Sequence, residues 1–70
     1  MKQYDDFVLA LKHTNKGKDF FAANRVYEAG EEFRECLRIV APHRDNLHVV
    51  LANEPRVFLA NVNEKLGLTP

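Results

Sequence analysis

The stretch VYEAGEEFREC, Val26 to Cys36, decides the fold because its glycine has two incompatible interpretations. In a helix, Gly30 is an interior residue that costs about 1 kcal/mol relative to alanine. In a β protein, the same glycine is a hinge at which one extended segment ends and the next begins. The flanking segments contain evidence for both structures.

The helical interpretation rests on apolar residues that recur with the spacing i, i+3, i+4 and i+7. Two segments have this spacing: Tyr4, Phe7, Val8 and Leu11, and Phe33, Cys36, Leu37 and Val40. Pro55 suits the first turn of a further helix over residues 55–66, and Gly67 suits its C-cap. This interpretation predicts a small all-α bundle.

The strand interpretation rests on alternation and on turn residues. Alternate side chains from Phe7 to His13 would share one face, and TNKGKD (14–19) is typical of a hairpin loop in which Gly17 takes a positive φ. NLHVVLA and RVFLANV are rich in β-branched residues and are separated by NEP (53–55), which predicts a second hairpin with His48 exposed. A strand over residues 31–40 turns Glu35 inward, so it requires a bulge or an edge there.

Glycines and prolines divide the chain into apolar runs that are mostly shorter than a typical helix. This division favours strands. We therefore predict a mainly β fold, a five-stranded small barrel with a short C-terminal helical turn, formed by a single domain over residues 1–70. The all-α bundle and a mixed α+β fold are the alternatives.

The order of these segments resembles an SH3-like barrel. LALKH (9–13) stands where such domains have their opening strand, residues 12–27 resemble the long first loop, and EAGEEFREC (28–36) resembles the turn before the next strand. LHVVLA (47–52) and RVFLANVNEKL (56–66) resemble the later hairpin and the closing turn. The resemblance implies the barrel without the family's proline-rich ligand, because Lys12, His13 and Val62 replace the aromatic residues of the peptide groove.

Charge and composition limit the class of partner. Ten basic and ten acidic residues give a net charge of zero, so there is no global attraction to nucleic acid or to an anionic membrane. The start MKQYDD lacks the apolar run of a signal peptide, and no segment approaches the roughly 18 apolar residues of a membrane span. Cys36 is the only cysteine, which fits a reducing compartment. We expect a cytoplasmic protein that does not bind membranes.

HRDNLH contains a cluster of metal-capable side chains, namely His43, Asp45 and His48. Zinc takes four ligands, or three and a water, and Cys36 would have to come from elsewhere in the chain. A solvated polar loop that enters a strand is the simpler interpretation. We predict no metal site, no cofactor, no catalytic residue and no enzymatic activity, since the sequence also lacks a recognisable catalytic motif.

Two adjacent phenylalanines indicate a binding function. Neighbouring strand residues face opposite sides of a sheet, so Phe20 and Phe21 cannot both enter one core. Exposed rings on a small neutral protein suit a protein–protein interface. We therefore predict a non-enzymatic accessory or inhibitory module that binds a larger protein or forms a homodimer, a role common among small phage and mobile-element proteins. The predicted contacts are four aromatic anchors, Phe20, Phe21, Tyr27 and Phe58, and a basic rim, Lys16, Lys18, Arg25 and Arg56.

The alternative function is nucleic-acid binding by the basic loop predicted over residues 12–18. Lys16 and Lys18 would meet phosphates at the loop tip, and the two phenylalanines behind them would stack on bases. Phosphates would be repelled by a nearby acidic run, Glu28, Glu31, Glu32 and Glu35.

Overall fold

A computed structural model describes residues 2–68 and their side chains from Tyr4 onward. Within that range the chain forms four α-helices: α1 Lys2–Ala22, α2 Val26–Val40, α3 Asn46–Leu51 and α4 Asn53–Lys65. Residues 2–68 contain no strand. The predicted five-stranded SH3-like barrel is therefore wrong, and the all-α alternative gives the correct fold class.

The segments predicted as strands lie in helices. LALKH is part of α1, and TNKGKD, the predicted hairpin loop, continues the same helix without a turn. Residues 31–40, predicted as a strand that begins after Gly30, lie in α2. The predicted second hairpin at NEP is the first turn of α4, and the predicted short C-terminal helical turn is a helix of 13 residues. The resemblance to SH3 domains was therefore a matter of spacing alone.

The end of α1 is set by an asparagine. Asn24 has a positive φ of 64°, the left-handed conformation that asparagine tolerates best after glycine. The N–H of Arg25 donates to the carbonyl oxygen of Phe20 at 2.8 Å, and the N–H of Asn24 donates to that of Phe21 at 3.0 Å. This pair of hydrogen bonds is a Schellman motif, which satisfies two carbonyls at the helix end and turns the chain toward α2.

The same motif ends α4. Gly67 has a φ of 73°, and the N–H of Leu68 donates to the carbonyl oxygen of Asn63 at 2.8 Å. The N–H of Gly67 donates to that of Glu64 at 3.1 Å. The helical interpretation correctly predicted that Gly67 ends this helix, although the C-cap itself is Leu66 and Gly67 is the left-handed residue that follows it.

Proline and aspartate define the middle of the chain. Pro42 follows the C-cap of α2 and cannot continue the helix. Asp45 is the N-cap of α3, where its side chain accepts the backbone N–H of His48 at 3.2 Å. Pro55 has no N–H to donate to the carbonyl of Leu51, which accounts for the break between α3 and α4 at Ala52.

Both interior glycines lie where helices approach closely. A Cβ on Gly17 would lie 2.6 Å from the Phe33 ring, and a Cβ on Gly30 would lie 3.0 Å from Cγ1 of Val62. Gly30 is therefore neither a hinge nor a flaw. It gives α4 room to pack against α2, and Gly17 gives α2 room to pack against α1.

The core consists of two clusters. One contains Ala10, Cys36, Ile39, Val40 and Ala52. The other contains Ala29, Phe33 and Val62, with five partly buried residues packed against it: Phe20, Phe21, Val26, Phe58 and Leu59. Both clusters contain residues of α2, so this helix is the centre of the fold.

The α1 residues that are fully buried against α2 are all small. Ala10, Thr14 and Gly17, at i, i+4 and i+7, are all buried, and we refer to them as the small-residue face. The Thr14 hydroxyl donates to the carbonyl oxygen of Ala10 at 3.0 Å and also lies 3.0 Å from Sγ of Cys36. Burial raises the pKa of the Cys36 thiol, and the hydrogen bond from Thr14 lowers it by a smaller amount.

Across the part of the chain that is described, no helix has the length and hydropathy to cross a membrane.

Candidate functional site

Three of the four predicted aromatic anchors pack against the second core cluster. The Phe58 ring stacks on Phe33 with centroids 5.2 Å apart and meets the Phe21 ring edge-on at 5.6 Å. Phe20 and Phe21 are both partly buried against this cluster, because adjacent residues can share a broad helix face that a strand does not offer. Tyr27 is 63% exposed. A role for these residues in partner contact stays a prediction.

Two side chains of the predicted basic rim have an ion-pair partner, and the other two have none among the described side chains. Lys18 lies 3.4 Å from Glu54, and Arg25 pairs with Glu28 while its guanidinium covers the Phe20 ring at 5.2 Å. Lys16 and Arg56 are exposed. The basic residues predicted to form a loop over 12–18 lie instead along α1.

An apolar groove lies between the first half of α1 and α3. It has a volume of about 320 Å³ and is lined by Phe7, Asn46, Leu47, Val50 and Leu51. Leu47 and Val50 are 63% and 65% exposed, although both are large apolar residues. Asn46 is the single polar residue among the described side chains that line the groove. The groove therefore offers an uncharged, apolar surface to a partner.

The apolar surface extends along α1 beyond the groove. Tyr4 and Leu11 lie three residues before and four residues after Phe7, so helix geometry places all three on one face. Tyr4 and Leu11 are exposed, and Phe7 is half-buried. The sequence had indicated this stripe through its i, i+3 and i+7 spacing. Its exposure could not be foreseen, because the same spacing is typical of a helix face that packs into a core.

A histidine cluster lies behind the groove. Nδ1 of His48 lies 2.8 Å from both carboxylate oxygens of Asp45, and Nε2 of His43 lies 2.9 Å from Oδ2 of Asp6. The two imidazole rings stack with centroids 4.0 Å apart and planes 15° apart. The Phe7 ring meets His48 edge-on at 5.7 Å, which joins the cluster to the groove.

The cluster differs from the solvated loop predicted from the sequence. His48 is 1% exposed, and its Nε2 has no hydrogen-bond partner among the described residues. The spacing of Asp45 and His48 is typical of a helix N-cap, but no local pattern indicated that Asp6 would join them. Ligand atoms of His43, Asp45 and His48 lie within 4.8 Å of one another. However, an imidazole nitrogen binds a metal in the plane of its ring, and stacked rings do not direct two nitrogens at one ion.

A cleft on the other side of α3 brings basic side chains together. It has a volume of about 210 Å³ and is lined by His48, Val49 and Ala52 of α3 and its C-cap, with residues of α2, α4 and the α2–α3 loop: Leu37, Val40, Ala41, His43, Arg44 and Arg56. Arg44 donates to the carbonyl oxygen of Ala41 at 2.8 Å. The short helix α3 is therefore a wall shared by the groove and the cleft.

Charged residues elsewhere pair on the helix surfaces. On α2, the Arg38 guanidinium donates hydrogen bonds to Glu35 and lowers the pKa of that carboxyl. His13 of α1 lies 2.6 Å from Glu32 of α2. These contacts are therefore surface and interhelical pairs.

Comparisons of this chain with known protein families, with curated proteins and with solved structures found no match. The two principal surface features of the chain are the apolar groove and the basic cleft on opposite sides of α3.

Proposed function

We propose that this protein is a non-enzymatic binding module that holds an amphipathic helix of a larger protein in the α1–α3 groove. The observation that carries the proposal is the exposure of Leu47 and Val50, which lie one turn apart on α3 and line the groove with Phe7. Burying apolar surface stabilises a complex by about 25 cal/mol per Å², before the costs of association. A helix with an apolar face would remove these side chains from water.

The size of the groove favours a helix over a second folded domain. A standard protein–protein interface takes about 800 Å² from each partner, which is about one sixth of the 4797 Å² surface of this chain. Five of the described residues line the groove, which has a volume of about 320 Å³ and so suits the two or three apolar anchors of a single helix. Tyr4 and Leu11 would extend the contact along α1.

This mode of binding fits the accessory or inhibitory role predicted from the sequence. A helix held in the groove presents its apolar face to this protein and cannot present it to another partner. In this proposal Phe20, Phe21 and Phe58 stabilise the fold, and the residues of the groove contact the partner helix. The zero net charge and the uncharged lining favour a protein partner over nucleic acid.

Site-specific crosslinking would test the proposal. A photoreactive amino acid replaces Leu47 in source cells, with the same replacement at Val57 of α4 as the control. Val57 is 62% exposed and does not line the groove. We expect a crosslink at position 47 to a segment with apolar residues at i, i+3 or i+4, and i+7. A synthetic peptide of that segment is then titrated by fluorescence anisotropy.

Paired charge substitutions would identify the binding surface. Val50→Asp should weaken peptide binding about tenfold or more, because a carboxylate in an apolar contact is desolvated without a partner. Val57→Asp carries the same change at a similarly exposed position and should bind like the wild type. Equal binding by Val50→Asp would contradict the proposal. A crosslink to a second copy would indicate the homodimer, and a salt-sensitive mobility shift without a protein crosslink would indicate nucleic acid.

A further inference from the structure

We propose that the cleft between α2, α3 and α4 binds a carboxylate carried on a short aliphatic chain. Two arginines, Arg44 and Arg56, and two histidines, His43 and His48, line this cleft of about 210 Å³, and no acidic residue among those that the structure describes does. This inference does not depend on the proposed function, because the cleft and the groove lie on opposite sides of α3. The cleft combines a basic surface, which suits the carboxylate, with an apolar surface, which suits the aliphatic chain.

The two arginines of the cleft have N–H groups that are available to donate hydrogen bonds to a ligand. Arg56 has no ion-pair partner among residues 4–68, although Arg25, Arg38 and Lys18 each pair with a glutamate. Arg44 uses Nη1 to reach the Ala41 carbonyl, and a guanidinium has five N–H donors in total. Two arginines in one cleft therefore offer a carboxylate several charge-assisted hydrogen bonds.

The acidic residues near the cleft are turned toward other partners. Asp6 accepts from Nε2 of His43, and Asp45 accepts from Nδ1 of His48, because a carboxylate can only accept. Neither aspartate lines the cleft. A carboxylate ligand would therefore meet the arginines without an acidic side chain in the cleft wall.

The remaining walls of the cleft are apolar. Leu37 and Val40 of α2 and Val49 of α3 line it, together with two alanines. Inorganic phosphate would meet the arginines but leave these walls unused. An aliphatic chain attached to the carboxylate would bury against them, which gives the cleft a preference for a fatty or branched short-chain acid over a bare anion.

A homologous series of ligands tests this directly. Acetate, butanoate and hexanoate, with inorganic phosphate as the bare anion, are titrated into ¹⁵N-labelled full-length protein, and the Nε–H signals of the arginines are followed by NMR. We expect saturable shifts at Arg44 and Arg56. Affinity should rise with each added methylene by up to about fourfold, the factor that corresponds to about 0.8 kcal/mol for a fully buried methylene.

A matched pair of substitutions separates the site from general electrostatics. Arg56→Gln should weaken hexanoate binding about tenfold or more, since it removes a hydrogen bond to a charged group. Arg34→Gln is the control because Arg34 is exposed, also has no ion-pair partner among the described side chains, and lies outside the cleft. It removes the same charge and should leave the affinity unchanged.

Three results would overturn the inference: no saturable shift at either arginine, equal weakening by both substitutions, or an affinity that does not increase with chain length. Phosphate binding as tight as that of hexanoate would also contradict it, because the apolar walls would then contribute nothing. Circular dichroism of each variant confirms that the helices are intact. The titration involves no partner protein, so its outcome is separate from that of the groove experiments.

Discussion

The ring of Phe33 lies against the backbone of Gly17, so closely that a Cβ on Gly17 would be 2.6 Å from Cε1 of the ring. Both residues are buried, and Phe33 is also stacked on Phe58. The ring therefore has little room to move away. This contact fixes the distance between α1 and α2 at that level of the bundle.

We expect Gly17→Ala to destabilise the protein by about 1–2 kcal/mol. Overpacking a core costs about 1–3 kcal/mol, and the better helix propensity of alanine returns up to about 1 kcal/mol. Gly30→Ala is the matched comparison, since its Cβ would lie 3.0 Å from a single methyl of Val62 and should change stability by less than Gly17→Ala. Urea denaturation followed by circular dichroism measures both. Equal effects would show that the Phe33 contact does not limit the packing.

Phe58→Ala should cost about 3 kcal/mol, because Phe58 contacts both Phe21 and Phe33 and leaves a cavity when truncated. Tyr27→Ala should change stability by no more than about 0.5 kcal/mol, since Tyr27 is largely exposed. The free energies of unfolding from urea titrations provide the comparison. A fully stable Phe58→Ala variant would return Phe58 to the surface role predicted from the sequence.

Stability should fall at alkaline pH through Cys36. Burial raises the pKa of this thiol above its ordinary value of 9.0 in the folded state. The contribution of the buried, protonated thiol to the free energy of unfolding is therefore complete below the pKa of the unfolded thiol. It is lost as the pH rises through the pKa of the folded thiol. Urea titrations between about pH 8 and pH 10 should show a steeper loss for the wild type than for Cys36→Ala, which has no thiol. Parallel pH profiles would exclude this linkage.

Asp45→Ala should destabilise the protein by about 2 kcal/mol. The change removes the N-cap of α3, worth about 1 kcal/mol, and leaves the buried Nδ1 of His48 without its acceptor. Asp45→Asn keeps one acceptor oxygen and should lose less. Asp19→Ala, at an exposed aspartate of α1, is the control and should be nearly neutral. Thermal and urea unfolding of the three variants test this order.

Periodicity predicted the helices better than punctuation did. The spacing of Phe33, Cys36 and Val40 correctly indicated α2, and all three residues are buried. Gly17 and Gly30 were misleading because local rules assign glycine to turns, whereas here both provide space for a neighbouring helix. That role depends on which side chain lies opposite, and Phe33 and Val62 are distant in sequence. Single-sequence patterns do not contain this information.

The candidate sites were predictable only in part. HRDNLH was recognised as a polar cluster, yet the burial of His48 depends on its packing against Phe7 from α1. The groove was not predicted either, because whether Leu47 and Val50 face the core or the solvent depends on how α3 packs against α1. The cleft is lined by Leu37 of α2 and Arg56 of α4, which are distant in sequence and which only the tertiary fold brings together.

The small-residue face of α1 has a consequence for natural variation. Ala10, Thr14 and Gly17 differ in polarity, and what they share is low volume at the contact with α2. Exchanges among alanine, serine, threonine and glycine should be tolerated at positions 10 and 14, whereas a leucine at any of the three would separate the two longest helices. Related sequences with this fold should then keep small side chains at these three positions even where the residue type differs.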